Sequence, residues 1–207
     1  MAHDSDLLSR STDILNVLCT SIPERPVGSE GNREATRFFE QELQRHGWRT
    51  EKLEFDAMDW KDGGATLSAG TRSFKVLASP YSLGCSVTAR LVNTEIIQDL
   101  EKLDCAGCIL FLHGRIAAEQ LMPKNFVFYN PEEHQRIIAR LETCGARALI
   151  CATGRNPALA GGVYPFPLIE DSDFDIPSVY MTEEEGKRLE PLVGTTVELH
   201  SRCWRIP

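Results

Sequence analysis

The sequence of 207 residues has no basic segment interleaved with aromatic residues and no long apolar run. Its formal net charge of −8 at pH 7 disfavours binding to nucleic acid or to an anionic membrane surface. No window approaches the roughly 18 consecutive apolar residues of a membrane-spanning helix. The opening residues, MAHDSDLLSRSTDILNVL, lack the basic start and the unbroken apolar stretch of a signal peptide. We therefore expect a cytoplasmic protein with no nucleic-acid partner and no membrane partner.

The cysteines do not form the pattern of a disulfide framework. There are seven, an odd number, and they are scattered along the chain. Such a set is typical of free thiols in a reducing compartment. The motif Cys105-Ala106-Gly107-Cys108 has no second Cys-x-x-Cys with which to share a zinc ion, and it leads into ILFLHG rather than into a helix. We expect this motif to be a turn before a buried strand.

The spaced ligands of a catalytic metal site are also missing. A site for two zinc ions needs roughly five histidine and carboxylate ligands. None of the five histidines belongs to a His-x-Asp, His-x-His or His-Glu-x-x-His motif. Glu132, Glu133 and His134 open a predicted helix, and Thr182 with Glu185 fits a helix capping box better than a catalytic glutamate pair. We expect no catalytic residue, no metal ligand and no cofactor in this chain.

The pattern of apolar residues predicts two helices and a strand at the start of the chain. Apolar residues at helical spacing indicate a helix over 4–21, which Pro23 ends. A second helix is expected to begin near residues 29–32 and to end at Gly47. The following WRTEKLEF, residues 48–55, alternates in the manner of a strand.

From Gly63 onward the chain has many short strand-like segments with turn signals between them. The predicted strands are SFKVLAS (73–79), SVTARLV (86–92), CILFLHG (108–114), ARALICAT (146–153), IPSVYM (176–181) and TTVELHSRCW (195–204). A helix is expected after Asn130-Pro131, with Asn130 as its N-cap, and a shorter one over 182–192. The fold class is therefore α/β (α+β), with a helix-helix-strand segment over 1–59 and a β-sandwich or open barrel with a few helices over 60–207.

Several separate blocks resemble one enzyme family in order and spacing. RPVGSEGNREATRFFEQELQRHGW resembles the N-terminal segment of the co-catalytic zinc aminopeptidases, the family that includes aminopeptidase Y and the bacterial leucine aminopeptidases. CAGCILFLHG, LETCG, ARALICAT and DIPSVYMTEEEGKRL resemble the protease-associated domain that is inserted into those enzymes. The blocks QLMPKNFVFYNPEEHQRII and GGVYPFPLIEDSDFDIPSVYMTEEEG look like one bacterial branch of the family.

The resemblance implies a division between this chain and the catalyst. In the family, two helices and a first strand precede the inserted domain, and the residues that bind two zinc ions follow it. This chain ends at CWRIP, about where the strand leading into the zinc domain is expected. We therefore expect the N-terminal segment and the protease-associated domain without the metal site, and no peptidase activity in this chain alone.

The residues that we single out for binding are aromatic and lie on two predicted loops: Phe126, Phe128, Tyr129, Tyr164 and Phe166. Aromatic loop residues commonly form recognition surfaces. The expected partner of these residues is a peptide substrate or the catalytic zinc domain. The alternative interpretation is that these residues pack locally or close onto the zinc domain.

Two further interpretations remain open at the level of the whole chain. It could be a stand-alone protein- or peptide-binding module, or a subunit that pairs with a separate catalytic chain. The apolar stripes of the first two helices are expected to associate if they are left uncovered. This predicts a homodimer through the exposed helix faces, or helices that fold back onto the inserted domain.

Overall fold

A computed structural model describes residues 2–153 and 174–206, with side chains from residue 6 onward. The chain divides into two compact units, Met1–Trp60 with Ile206–Pro207, and Lys61–Arg205. None of the described helices combines the length and the apolar character that crossing a membrane requires. The assignment of residues 1–59 to a peptidase segment and of 60–207 to a protease-associated domain stays a prediction.

The first unit contains two helices, as predicted. Helix α1 spans Ala2–Asn16 and continues into a π-helical turn over Val17–Ser21, and α2 spans Glu30–Arg45. The hydroxyl oxygen of Ser29 accepts a hydrogen bond from the amide of Asn32 at 3.1 Å and caps α2, while Gly47 adopts the left-handed φ of 78° that ends it. Both predicted ends of this helix are confirmed.

The strand predicted over 48–55 is wrong. Residues 48–58 have no regular secondary structure, and Leu53 and Phe55 are 84% and 79% exposed. A strand is stable only when its backbone groups pair with a neighbour, and the described part of the chain supplies none for this segment. The alternating pattern therefore indicates a segment that could pair with a neighbouring strand, although it is not paired in this structure.

The second unit is built on one sheet of eight strands in the order β2-β1-β8-β4-β5-β6-β7-β3. The strands are β1 Asp59–Ala69, β2 Arg72–Phe74, β3 Leu77–Ala78, β4 Cys85–Thr94, β5 Ile109–Leu112, β6 Ala148–Thr153, β7 Ser178–Thr182 and β8 Thr196–Ile206. Helices α3 Ile97–Leu100, α4 Glu132–Thr143 and α5 Glu183–Leu189 connect them, with 3-10 turns at Gly114–Ala117 and Glu190–Leu192.

The sheet is mixed, and its central strands are parallel. β4, β5, β6 and β7 pair in parallel, with Phe111 of β5 opposite Ile150 of β6, whereas β8 lies antiparallel to β4 and β3 antiparallel to β7. The predicted strand–helix–strand unit over 108–153 is therefore confirmed, with α4 as the crossover between β5 and β6.

Both faces of the parallel strands are buried. Alternate residues such as Leu110 and Leu149 pack with α3 and α4 on one face. Phe111 and Ile150 pack on the other face, in a core that also holds Leu67 of β1 and Leu199 of β8. Because only Lys75 and Val76 separate the two edge strands β2 and β3, the ends of the sheet lie close together and the sheet is curled over this core. The mixed α/β fold class is confirmed.

One predicted strand is corrected in detail, and one strand was not predicted. SFKVLAS divides into β2 and β3, which pair with different neighbours, β1 and β7. Strand β1, which the sequence pattern did not predict, begins at Asp59 and runs through Gly63 and Gly64. A β-carbon at Gly63 would lie 2.5 Å from the carbonyl oxygen of Arg202, so glycine here permits close approach of the backbone to β8.

Candidate functional site

Among the described residues of the second unit, the most exposed apolar group is the loop over residues 122–130, called the aromatic loop below. Phe128 is 89% exposed, Val127 84%, Tyr129 62% and Phe126 37%. The rings of Phe126 and Phe128 meet edge to face with their centroids 5.9 Å apart. The structure thus brings three of the five aromatic residues selected from the sequence to one exposed loop.

The base of the aromatic loop is closed by Asn130. Its side-chain nitrogen donates hydrogen bonds to the carbonyl oxygens of Lys124, at 2.9 Å, and Pro123, at 3.4 Å. The carbonyl oxygen of Asn130 accepts a hydrogen bond from the side chain of Gln135 at 2.7 Å. Within the loop, the amide of Phe126 donates to the carbonyl oxygen of Pro123 at 3.0 Å. These bonds make the segment a compact loop with joined ends.

His134 fixes the first residue of the same loop. This histidine is buried on α4, and its Nδ1 accepts a hydrogen bond from the amide of Met122 at 3.2 Å. Its Nε2 lies 3.7 Å from Glu119 Oε1. The role expected for Asn130 is also corrected, because Pro131 occupies the N-cap position of α4 and Asn130 bonds to the loop instead. Sequence reasoning missed both anchors, since nothing in their spacing refers to the loop.

The other two selected residues, Tyr164 and Phe166, lie outside the described residues. Their loop therefore stays a prediction, and the candidate site consists of the aromatic loop alone. Within the loop, Lys124 forms a salt bridge with Glu142 at 2.8 Å, and the residues after Pro131, Glu132 and Glu133, carry exposed carboxylates.

The glutamates at the start of α5 have a structural role. The hydroxyl oxygen of Thr182 accepts a hydrogen bond from the amide of Glu185 at 3.2 Å, so the predicted cap is confirmed. The expected return bond from Glu185 to the amide of Thr182 is corrected: the Glu185 carboxylate accepts from the amide of Lys75 at 3.1 Å and from Arg188 at 2.6 and 2.7 Å. These bonds tie α5 to the segment between β2 and β3.

The Cys-x-x-Cys motif forms a turn before the buried strand β5, as predicted. Cys105 and Cys108 are both buried, and the thiol of Cys105 points at the carbonyl oxygen of Cys144, 3.6 Å away. Burial raises the pKa of the Cys105 thiol to about 12, and the neighbouring Cys144 thiol adds to the shift. Because a thiolate is the reactive form, this environment suppresses nucleophilic and redox chemistry at Cys105.

The described residues do not offer ligands for a pair of zinc ions. No group of three or more His, Cys, Asp or Glu side chains in the described part of the chain could hold a metal ion. Even His113, which lies 3.6 Å from Glu190 and 4.0 Å from Glu95, is buried with its Nε2 bonded to the Asn93 amide at 2.9 Å. The expectation that this chain holds no zinc stays a prediction.

Comparison with known proteins finds likeness in structure rather than in sequence. No family model matches the chain, and no curated protein matches its sequence. An aminopeptidase from Aneurinibacillus sp. strain AM-1 superposes on 94% of this chain with a TM-score of 0.62 and 20% identity. A peptidase M28 precursor from Shewanella amazonensis SB2B superposes on 94% with a TM-score of 0.61 and 16% identity. The chain spans 45% and 46% of those two proteins, so it shares its fold with slightly less than half of each.

Proposed function

We propose that this chain is the N-terminal and protease-associated region of a zinc-dependent aminopeptidase, and that its aromatic loop shapes the access of peptide substrates. The observation that carries the proposal is the likeness in fold to an aminopeptidase over 94% of this chain. Motif resemblances in both units, from RPVGSEG to TEEEGKRL, point to the same enzymes. The chain itself contributes no catalytic residue.

The chemistry of the complete enzyme is hydrolysis of the N-terminal peptide bond of a peptide. In such an enzyme, zinc polarises the scissile carbonyl group and activates the attacking water. The described residues of this chain do not offer a set of zinc ligands. The proposal assigns the zinc ligands to the part of the enzyme beyond this chain. What this chain supplies is a rigid sheet that carries a binding loop, an arrangement by which enzymes commonly set specificity.

The proposal is tested on the reading frame that encodes this chain. We expect it to continue beyond residue 207 into a His-x-Asp motif and a Glu-Glu pair. We expect its full product to contain zinc and to cleave amino-acid anilides in a bestatin-sensitive reaction, whereas residues 1–207 alone are expected to show neither property. Stoichiometric zinc or bestatin-sensitive cleavage in the 207-residue chain would overturn the division of roles.

The same reading frame separates the alternatives. A stop codon followed by a separate gene for a zinc domain would favour a subunit that pairs with a catalytic chain. A stop codon with no such gene would favour a stand-alone binding module, for which the exposure of Phe126, Phe128 and Tyr129 is the supporting observation.

A further inference from the structure

Two buried thiols lie side by side where the turn before β5 packs against the end of α4. Cys105 exposes none of its surface and Cys144 exposes 6%. The thiol of Cys105 points at the carbonyl oxygen of Cys144, 3.6 Å away, and the Cys144 thiol is close enough to raise the pKa of Cys105. The two residues are 39 positions apart in sequence, so the packing of α4 brings them together.

Backbone contacts hold the two segments that carry these thiols. The amide of Gly107 donates a hydrogen bond to the carbonyl oxygen of Gly145 at 2.9 Å, and the amide of Arg147 donates to that of Cys108 at 2.8 Å. A β-carbon at Gly145 would lie 3.3 Å from the Cα atom of Ala106, so the two backbones are in contact. A disulfide requires such a close approach, because its bond lengths and torsion angle span a short and fixed distance.

The third thiol of this region, that of Cys108, is directed elsewhere. It points at the carbonyl oxygen of Ala106, 3.7 Å away. Cys144 raises the pKa of Cys105 more than Cys108 does, which indicates that Cys144 is the nearer neighbour. Reactive Cys-x-x-Cys motifs commonly lie at the N-terminus of a helix, whereas this one leads into β5. The geometry therefore favours Cys144 over Cys108 as the partner of Cys105.

A pair of neighbouring thiols with little access to solvent is suited to a slow response to oxidation. We propose that hydrogen peroxide converts Cys105 and Cys144 into a disulfide, and that this bond locks the turn before β5 to α4. In a reducing compartment, such a bond forms when oxidant accumulates and is reduced again by thiols afterwards. This inference goes beyond the proposed aminopeptidase function and does not depend on it.

The reaction begins at Cys144, because Cys105 has no exposed surface and its raised pKa keeps it protonated. The sulfur of Cys144 attacks one oxygen of the peroxide, the O–O bond breaks, and a sulfenic acid and one water form. The sulfur of Cys105 then attacks the sulfenic sulfur. The S–S bond forms, and the hydroxyl group leaves with the proton of the Cys105 thiol as a second water. Two thiols lose two electrons in total, and the contact between the sulfur atoms offsets the low nucleophilicity of the protonated thiol.

The bond would close a ring over residues 105–144, which contains β5, the aromatic loop and α4. A ring of this kind restricts the unfolded chain more than the folded one, so the oxidised protein should be more stable than the reduced protein. It would also fix the end of α4, the helix whose His134 holds the first residue of the aromatic loop.

The experiment treats the folded 207-residue chain with hydrogen peroxide at about pH 8.5, where more of each thiol is ionised. The remaining thiols are alkylated, and the protein is digested with trypsin without reduction. We expect the peptide LDCAGCILFLHGR, residues 103–115, to be joined to LETCGAR, residues 141–147, and to separate on addition of dithiothreitol. The urea midpoint should rise on oxidation and fall again with dithiothreitol. The reversible part of this change is the measurement, because dithiothreitol does not reverse the oxidation of methionine by peroxide.

Variants identify the two sulfur atoms, since the first peptide contains two cysteines. Cys108→Ala is the matched control and should keep the joined peptides and the reversible rise of the urea midpoint. Cys105→Ser should lose both. Cys144→Ser removes the partner and should lose the reversible rise. The treated chain should run as a monomer on a non-reducing gel, because the bond lies within one chain.

Four results would overturn the inference. The first is no joined peptide at a peroxide concentration that fully oxidises the exposed Cys19. The second is a joined peptide that Cys108→Ala removes and Cys105→Ser retains, which would assign the bond to Cys108. The third is a link between two chains, and the fourth is a link that leaves the urea midpoint unchanged. None of them bears on the aminopeptidase assignment, which is decided by the reading frame and the activity of its product.

Discussion

The carboxylate of Glu185 accepts a hydrogen bond from the backbone amide of Lys75 at 3.1 Å, across 110 positions of the chain. It also holds Arg188, whose guanidinium group lies over the ring of Phe74, 5.3 Å from its centroid. One glutamate thus fixes the segment between β2 and β3 to α5. Glu185 resembles part of a catalytic pair, but in this fold its carboxylate forms structural hydrogen bonds.

The first prediction concerns the stability that these bonds provide. Glu185→Ala should lower the free energy of unfolding by about 1–2 kcal/mol, because it removes the partner of the Lys75 amide and of Arg188. Glu184→Ala is the matched control, since Glu184 is exposed in the same helix turn and should change stability by less than about 0.5 kcal/mol. Urea unfolding measures both. Equal effects of the two substitutions would refute a specific role for Glu185.

The second prediction concerns the closure of the aromatic loop. Asn130→Ala removes the donor that joins the two ends of the loop, so the backbone amides of residues 122–130 should exchange faster with deuterium. A hydrogen bond of this kind contributes about 1 kcal/mol, which corresponds to several-fold faster exchange. Peptides from α4 serve as the internal control, because the Asn130 side chain does not form a cap for that helix. Unchanged exchange in the loop would show that Asn130 is not its anchor.

The central part of the fold could be predicted from the sequence because its signals are local. The continuous apolar run before Gly114 and the Asn130-Pro131 boundary indicate strand, crossover helix and strand without reference to the rest of the chain. Strand β1 was missed because Gly63-Gly64 is a turn signal. Glycine at position 63 is explained by the close approach of its backbone to Arg202, and these two residues are far apart in sequence. The prediction of a strand over WRTEKLEF was wrong for the opposite reason. Its local pattern is that of a strand, but a strand also needs a neighbouring strand to pair with.

The candidate site divides in the same way. Exposed aromatic residues on a loop can be expected from composition, and Phe126, Phe128 and Tyr129 were selected on that basis. The anchoring of the loop could not be expected, because the bond from Met122 to His134 spans 12 positions and depends on how α4 packs. From sequence alone, a histidine in the first turn of a helix is more readily interpreted as a metal ligand or as a charge near the helix terminus than as an acceptor for a loop amide.

The third prediction concerns the segment that follows α2 in the first unit. Among the described side chains of residues 6–60, Ile22 is the one hydrophobic residue that is buried, so this unit has no core of its own. Limited trypsin digestion of the full chain should therefore cut first at Arg49 or Lys52, which are exposed in the segment without regular structure. Arg147, which lies next to β6 in the second unit, should remain uncut in the same digest. Earlier cleavage at Arg147, or elsewhere within residues 61–153, would contradict the predicted organisation.

The fourth prediction concerns stability at alkaline pH. Burial raises the pKa of the Cys105 thiol from its ordinary value of 9.0 to about 12 in the fold. A raised pKa means that the unfolded chain loses this proton first, so the contribution to stability is complete below pH 9 and is lost as the pH rises from 9 towards 12. Between pH 8 and 10, Cys105→Ala should reduce the loss of unfolding free energy by about 1 kcal/mol relative to the unchanged chain. An equal loss of unfolding free energy in C105A and in the unchanged chain would refute this role for Cys105.

The fifth prediction concerns the exposed faces of the first two helices. Leu8 and Leu15 are seven residues apart on one face of α1 and are 70% and 59% exposed, and Phe39 of α2 is 63% exposed. No residue of the fully described helix α2 is buried. Surfaces of this kind associate when nothing covers them, so the 207-residue chain should form a homodimer in light scattering, with a mass that falls on dilution.

Substitutions distinguish this surface from the aromatic loop. Leu8→Glu with Phe39→Glu should give a monomer, because charges placed on an apolar contact must lose their hydration to remain in it. Phe128→Ser should leave the dimer intact, since it alters the other exposed apolar group. A chain that stays monomeric with Leu8, Leu15 and Phe39 accessible to solvent would refute the dimer. Dissociation of the dimer by Phe128→Ser alone would show that the aromatic loop, and not the helix faces, forms the contact. If the reading frame continues as proposed, the longer product should be a monomer, because its own zinc domain would then cover the faces that drive association here.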